Sequence, residues 1–556
     1  MDFFSSRIIQ HFLATEPAWL LLEILLPITL WLGAKTVYNL YFHPLSHLPS
    51  PPFASVTSLV LVYYSHYDLR TETLAKWHRI YGPIVRIAPN EVSFTSQKAV
   101  KEIYQDPEME KCIPLYGIFQ HFGADNAFTS RTRHEHGWRR KGVADRYTLT
   151  YVMSEEEKEG KIRRAAKDYC AFVENEAVPV GEKKNSWDVD LYAANIFYAT
   201  DNITSHLFGE DLGSHALRQP PFSSTNSVIP ADADSMRKRI FAHYGAALRS
   251  KVYLYVAFPA VMNVVDYFRK LRIALFPVAG ELVDGLDRMR EFGWKRQQYL
   301  KESKDTRTVA GKLSMLVDAG SREWSDEVAG SELMDHILAG MDTTSDTLSF
   351  LMYHISHPNH ESIQKELRDE LRRSITGSPY DAPLSLIMGL PYLSAVIFET
   401  LRVYTAIPVT LPRVVTSPGK TIDGISIPVG TVVGSLAKAI HQDDDIYSGD
   451  GQWPVDEFLP ERWLTRKGIN NEGERIKKME NRLWAFGSGA RGCVGRHLAM
   501  VEMKVLLAVV YWTYQTTLVP HTTIKLPHNQ WNQRRTFRDT LPFKGANGIL
   551  RFTRSV

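Results

Sequence analysis

Leu483-Trp-Ala-Phe-Gly-Ser-Gly-Ala-Arg-Gly-Cys-Val-Gly-Arg496 is the stretch on which the reading of this chain turns. Its fixed points are Phe486, Gly489, Arg491, Cys493 and Gly495. Cys493 stands in a glycine-studded loop, and a helical pattern, Arg496-His-Leu-Ala-Met-Val-Glu-Met-Lys-Val-Leu-Leu507, follows at once. A thiol just before a helix N-terminus meets unpaired amide N–H groups and the positive end of the helix dipole. Both favour the thiolate, the form that binds metal. Gly489 and Gly495 leave room for backbone to approach a flat ligand, and Arg491 offers a cation to an anionic group on it. The other reading of Cys493 is a buried structural cysteine, the commoner fate of a free thiol.

The loop resembles the haem-binding loop of the cytochrome P450 family, in which a cysteine thiolate is the proximal iron ligand. At average residue frequencies, five such positions match by chance in a chain of this length on the order of 10⁻⁴ of the time. The resemblance implies haem b (iron protoporphyrin IX), its iron ligated by Cys493, with Phe486, Gly489, Arg491 and Gly495 around it.

Ser325 to His357 is a sustained helical pattern, with Ser325 as N-cap, Asp326 and Glu327 in the first turn and Pro358 as the stop. Mid-helix lies Ala339-Gly-Met-Asp-Thr-Thr344. Threonine hydroxyls compete for backbone carbonyls there, and Gly340 weakens the helix further. Local inconsistency inside a strong helix marks a functional site. On its own, Asp-Thr-Thr reads as a surface feature. Beside Cys493 it resembles the family's oxygen-activating motif, with Asp342 and Thr343 at the acid and alcohol positions. Oxygen activation consumes protons, and a carboxyl and a hydroxyl in series can relay them from solvent.

Glu399 and Arg402 in Pro391-Tyr-Leu-Ser-Ala-Val-Ile-Phe-Glu-Thr-Leu-Arg402 share a helical face, and Phe458-Leu-Pro-Glu-Arg-Trp463 lies downstream. The resemblance implies a buried charge triad of Glu399, Arg402 and Arg462, which is tolerable only when fully paired. His134-Glu-His-Gly-Trp-Arg-Arg-Lys141 matches a family helix with Trp-x-x-x-Arg facing a haem propionate. Aligned on Arg140, the tryptophan position is His136, whose imidazole can still donate; a solvated basic face is the alternative. Arg413, ending Pro408-Val-Thr-Leu-Pro-Arg413, matches the position holding the other propionate, with Ile407 and Val409 looking into the pocket.

Elsewhere the pattern is organisational. Ile84-Val-Arg-Ile87 and Glu91-Val-Ser-Phe94 read as short strands around a Pro89-Asn90 turn. Cys112 to Ser130, with Phe119, Phe122 and Phe128, matches the family's pocket-capping loop, or is an ordinary loop anchored by aromatics. Ser186 to Gly209 reads as one amphipathic helix, and Met236 to Pro277 as apolar helices roofing the pocket. Arg462, Arg466, Lys467, Lys477, Lys478, Arg482 and Arg496 crowd the segment around the cysteine loop. A basic face of this kind steers an acidic electron-donating flavoprotein; with Glu472, Glu474 and Glu480 interspersed, a plain soluble surface reads equally well.

The chain has 556 residues, 44% of them hydrophobic, so it can bury a large core. A net charge of +3 gives no case for nucleic acid. Three cysteines, Cys112, Cys170 and Cys493, suit a reducing compartment rather than a disulfide framework. No CxxC, P-loop or GxGxxG occurs. Pro17-Ala-Trp-Leu-Leu-Leu-Glu-Ile-Leu-Leu-Pro-Ile-Thr-Leu-Trp-Leu-Gly-Ala34 is near the minimum length for a membrane span, interrupted by Glu23 and Pro27. A proline-rich stretch, Tyr38 to Pro52, would stiffen the exit from it.

The expected architecture is mainly α with small β-sheets, a cytochrome P450-like fold with an N-terminal membrane-anchor helix. Residues 1–36 form the anchor, 37–52 the hinge and 53–556 one catalytic domain. The resemblance implies a haem-thiolate monooxygenase at the endoplasmic reticulum membrane, its catalytic domain facing the cytosol. NADPH–cytochrome P450 reductase would supply electrons. The substrate would be a hydrophobic small molecule, in the manner of filamentous-fungal terpenoid or polyketide tailoring. The alternatives are a haem-thiolate isomerase or peroxide-using enzyme, and a membrane-anchored haem sensor.

Overall fold

Helices dominate, with three small sheets beside them. The computed structural model describes residues 17–67, 69–180, 185–218, 264–265, 285–407, 410–449, 451–466, 471–519 and 548–554. Nearly all of the expected pocket roof, Val409 and Lys467 lie outside the described residues.

Helix α1 (Pro17–Val37) forms on the apolar run, with Leu25, Leu26, Ile28, Leu30, Trp31 and Leu32 exposed along it. Glu23, Pro27 and Lys35 interrupt that run, and among the described residues no helix is long and apolar enough to cross a membrane. The expected spanning helix is thus not met by this segment. The proline-rich stretch after it is fastened to the body. The buried Arg86 guanidinium donates to Asn39 O at 2.8 Å and to Pro89 O, while its backbone N–H donates to Pro49 O at 2.8 Å.

Ile84–Ala88 and Glu91–Phe94 pair antiparallel around the predicted turn. Glu91–Phe94 continues in parallel to Val432–Ser435, then Arg413–Val414 and Glu110–Lys111 complete a five-stranded sheet. Its register sets Lys111 directly opposite Arg413. Beyond it come α2 (Gln97–Tyr104), capped by Ser96, and α3 (Arg133–Val143), opened by a capping box of Thr132 and Glu135.

The single helix expected from Ser186 is two elements. Ser186–Asp190 is a strand between Ile549–Arg554 and Val178–Pro179, and α4 (Leu191–Phe208) starts where Asp190 accepts from Ala193 N at 3.1 Å. Trp187, Asp188 and Val189 are all buried, so both faces of this strand are covered. Helix α4 is buried on almost every side rather than amphipathic, because other helices cover all its faces.

Helix α5 (Asp326–Ile355) starts at Ser325, whose hydroxyl accepts from Val328 N, and crosses the core against α4. A Cβ on Gly340 would lie 2.7 Å from the Ile203 side chain. Gly340 is therefore required by close helix packing. Two further helices complete the frame, α6 (Pro391–Val403) and the largely buried α7 (Arg496–Thr513).

The charge triad is present. Arg402 grips both Glu399 oxygens at 2.8 and 2.7 Å, and Arg462 Nε reaches Oε1 at 2.9 Å. Trp463 Nε1 and Leu459 N–H donate to the same carboxylate at 2.8 Å each. The remaining guanidinium N–H groups bond carbonyls of His441, Tyr447, Pro454, Val455 and Glu457. Every strong donor is satisfied, which makes burial at 0–1% exposure tolerable.

Glu399→Ala leaves two buried guanidinia without their anion and should lower unfolding stability by about 3–5 kcal/mol. Gly340→Val should cost about 1–3 kcal/mol by overpacking against Ile203. Thermal and urea unfolding check both.

Candidate active site

The loop Trp484–Gly495 folds on two left-handed glycines, Gly487 (φ +66°) and Gly489 (φ +68°), and closes with Cys493 N–H donating to Phe486 O at 2.8 Å. A Cβ on Gly489 would meet Tyr104 O at 3.0 Å, so this glycine serves packing against α2 rather than approach to a ligand. A Cβ on Gly495 would meet only Cys493 Sγ, at 4.0 Å, so space is open beside the sulfur. The Phe486 ring lies under the Arg496 guanidinium at 5.6 Å.

Cys493 is exposed yet surrounded by protein, so its thiol faces an enclosed chamber. Burial pushes the thiol up, opposed by the Gly495 amide, Arg140, the Arg496 amide and the Arg496 charge. The helix terminus alone therefore does not produce the expected thiolate. A metal cation bound by Cys493 would supply what is missing.

Cations converge on the same region. Arg140 Nη1 donates to Gly492 O at 2.7 Å, and Arg491 donates to the carbonyls of Ser130, Arg131 and Thr132 at 2.8–2.9 Å. Arg413 spends Nη1 on the Tyr116 hydroxyl at 2.9 Å and on the Leu411 and Pro412 carbonyls. Lys111 is buried between the Tyr116 and Phe128 rings, 4.5 and 4.6 Å from their centres, with Nζ on Phe128 O. Burial, then Arg491, Lys111, Arg140 and Arg413, push the His136 imidazole down to about 3, so it is neutral. Among the described residues, none of Lys111, Arg140, Arg413 and Arg491 forms an ion pair with a carboxylate. Burial, then Arg413 and Arg491, push Lys111 well down, because like charges set opposite one another in a buried place are costly. Such a cluster fits a ligand bearing anionic groups.

Asp342 and Thr343 are half-buried on α5, and Ala339, one turn before Thr343, is exposed within a mostly buried helix. Thr343 Oγ1 donates to Ala339 O at 2.9 Å. Burial pushes the Glu502 carboxyl well up, eased by a hydrogen bond with Thr344, next to Thr343. The cap loop is pinned to this helix: His121 N–H and Asn126 Nδ2 donate to Ser331 Oγ at 3.3 Å each, and Ser331 donates to Ala124 O at 2.9 Å. The Phe122 ring covers Gly330.

Sequence reasoning missed Lys111, which depends on strand register, and Glu502, which lies on the far side of two helix turns from Cys493. It missed Glu332, Asp335 and His336 on α5 as well. It also overcounted the basic face. Arg462 is consumed by Glu399, and Arg482 is buried, donating to Thr95 O at 2.6 Å and to Asp443. Arg466 is bound by Glu472. Lys477, Lys478 and Arg496 are exposed, with Glu474 and Glu480 between them.

A family model described as Cytochrome P450 matches residues 49–540. The chain belongs to the cytochrome P450 family. It is 26% identical over 518 residues to fusicoccadiene 8-ol C-16 hydroxylase of Alternaria brassicicola, covering 90% of this chain and 92% of that protein. It is 28% identical to cytochrome P450 monooxygenase FGM1 of Gibberella zeae, covering 91% and 92%, and 28% identical to monooxygenase aneF of Aspergillus aculeatus, covering 88% and 92%. This P450 is a monooxygenase by family, and the family's cofactor is haem iron on a cysteine thiolate. The enclosed thiol, the open space beside Gly495 and the unpaired cations fit that group.

Arg413→Leu should leave the fold intact and speed haem loss about tenfold, the effect of one charged hydrogen bond. The rate of haem transfer to an excess of apomyoglobin checks it.

Proposed function

We propose that this P450 inserts one oxygen atom from O2 into a C–H bond or alkene of a hydrophobic small molecule, within fungal terpenoid or polyketide tailoring. The observation that carries the reading is the enclosed Cys493 thiol, flanked by Arg140, Arg413 and Arg491, which among the described residues form no ion pair with a carboxylate. In this reading Cys493 holds haem iron, His136 and Arg140 take one propionate, and Arg413 and Arg491 the other. Haem iron on a thiolate, when bound, supplies the O2 chemistry. Asp342 and Thr343 pass protons into the chamber. The name fusicoccadiene 8-ol C-16 hydroxylase supports hydroxylation of a hydrophobic molecule.

NADPH–cytochrome P450 reductase is the proposed electron donor, met by Lys477, Lys478 and Arg496. The endoplasmic reticulum membrane is the proposed location, with the catalytic domain facing the cytosol. Exposed Leu30 and Trp31 on α1, and Tyr41, Phe42 and Phe53 after it, support contact with a lipid surface.

Reconstitution with the reductase, NADPH and ¹⁸O2 over a panel of terpenoid and polyketide substrates tests the reading. The expected product carries one ¹⁸O atom per NADPH consumed, and Thr343→Ala uncouples NADPH use from product by tenfold or more. Product formation without reductase, or from peroxide alone, would support the isomerase or peroxide-using alternative instead.

A further inference from the structure

A cleft of about 690 Å³ lies away from the cysteine loop. Its walls are the helix Leu149–Glu159, the C-terminal end of α4, the end of the helix Gly285–Ser303 and residues 304–308 after it. Cys493, Asp342 and Thr343 do not line it. Two hydrogen-bonding groups in its wall have nothing to bond. Asn202 is 4% exposed; its Nδ2 donates to Tyr198 O at 2.9 Å, and its Oδ1 is buried without a hydrogen bond. His206, one helical turn further along α4, has a buried Nε2 that is likewise unbonded. Buried polar atoms are nearly always paired, so two orphans a turn apart call for a hydrogen-bonding partner from outside the chain.

The His206 ring is held against Tyr147 and Tyr151, with ring centres 4.7 and 6.3 Å away. Burial, then Lys161, His336 and Arg146, push the imidazole down to about 3, so the ring is neutral and either donates or accepts. Most charges around the cleft are already spent. Glu156 accepts from the Ile162 and Arg163 amides, and Glu210 is bound by Arg164 and Arg218. Glu159 pairs with Lys161, and Asp305 with Arg307. Among the described residues lining it, Glu155, Asp211 and Lys304 form no ion pair. Val152, Ile162, Phe208 and Leu300 add apolar surface between the polar groups.

We propose that this cleft is a second binding site and takes a neutral polyhydroxylated molecule, a sugar or a polyol, through Asn202, His206, Glu155 and Asp211. The site does not depend on the monooxygenase reading. Lys161 and Arg146, which act on His206, oppose a cation there, and the unpaired Glu155 and Asp211 oppose an anion. A neutral ligand meets neither penalty. Its hydroxyl groups can donate to the Asn202 oxygen and to both carboxylates, and can exchange a hydrogen bond with His206 in either sense. The Tyr151 ring and the apolar side chains suit the C–H face that such a molecule also carries.

Equilibrium dialysis of the haem-loaded protein against radiolabelled maltose, sorbitol, spermidine and citrate tests the site. The reduced carbon monoxide spectrum and the unfolding temperature are recorded for each variant. Maltose or sorbitol should bind saturably, one molecule per chain, and the tighter of the two tells a ring sugar from an open-chain polyol. Spermidine and citrate should bind more weakly than either. His206→Phe keeps a ring against Tyr147 and Tyr151 and should weaken the polyol about tenfold, the effect of one hydrogen bond. The double variant Glu155→Ala, Asp211→Ala leaves the buried groups of α4 untouched and should weaken it by about the same factor. Absence of saturable binding by both polyols, tighter binding of spermidine or citrate, or full polyol affinity in either variant overturns the proposal.

Discussion

A single buried carboxylate, Glu399, holds the frame in which the cysteine loop sits. Two arginines, an indole N–H and a backbone N–H close on its two oxygens, and the arginines' remaining donors gather the carbonyls of 441–457. His441 carries the constraint onward. Burial pushes its imidazole down to about 3, so the ring is neutral. Trp484 N–H donates to Nε2 at 2.9 Å, which places the proton on Nδ1, 3.0 Å from the Arg402 carbonyl it donates to. Trp484 stands two residues before Phe486, whose carbonyl receives the Cys493 amide. The charge network is thus tied to the Cys493 backbone through hydrogen bonds and two residues of the loop.

The two charge clusters behave oppositely. Around Glu399 every charge has its protein partner, and the cluster is purely architectural. Around Cys493, Arg140, Arg413 and Arg491 have carbonyls, rings and a hydroxyl for company but, among the described residues, no ion pair with a carboxylate. The same fold that satisfies one set so thoroughly leaves the other in deficit, and the thiol beside it is pushed up rather than down. A metal-bearing, dianionic ligand would remove both deficits at once. That is the physical content of the haem proposal.

Much of this was legible in sequence because it is local. The Ser325 cap, the strands around Pro89-Asn90 and the Cys493 loop before a helix are set by neighbouring residues, and each forms as read. Glu399 and Arg402 are three residues apart on one helix; Arg462 joins them only through the fold, and the resemblance supplied it. What sequence could not give is register and burial. Lys111 faces Arg413 because two short strands align so. Arg482 looks like surface charge until Asp443 and the Thr95 carbonyl enclose it. Gly340 read as a weak point, yet α4 packs so closely on α5 there that Ile203 leaves no room for a Cβ. Ser186–Asp190 became a strand because its partner lies more than 350 residues away at Ile549–Arg554.

The most direct measurement is the absorption spectrum of the reduced, carbon monoxide-bound protein, recorded for wild type and Cys493→Ala under identical loading. Thiolate ligation at Cys493 predicts a strongly red-shifted Soret band in the wild type that is absent from the variant. A wild-type band at the position typical of histidine-ligated haem, or a red-shifted band that survives in Cys493→Ala, would contradict the account.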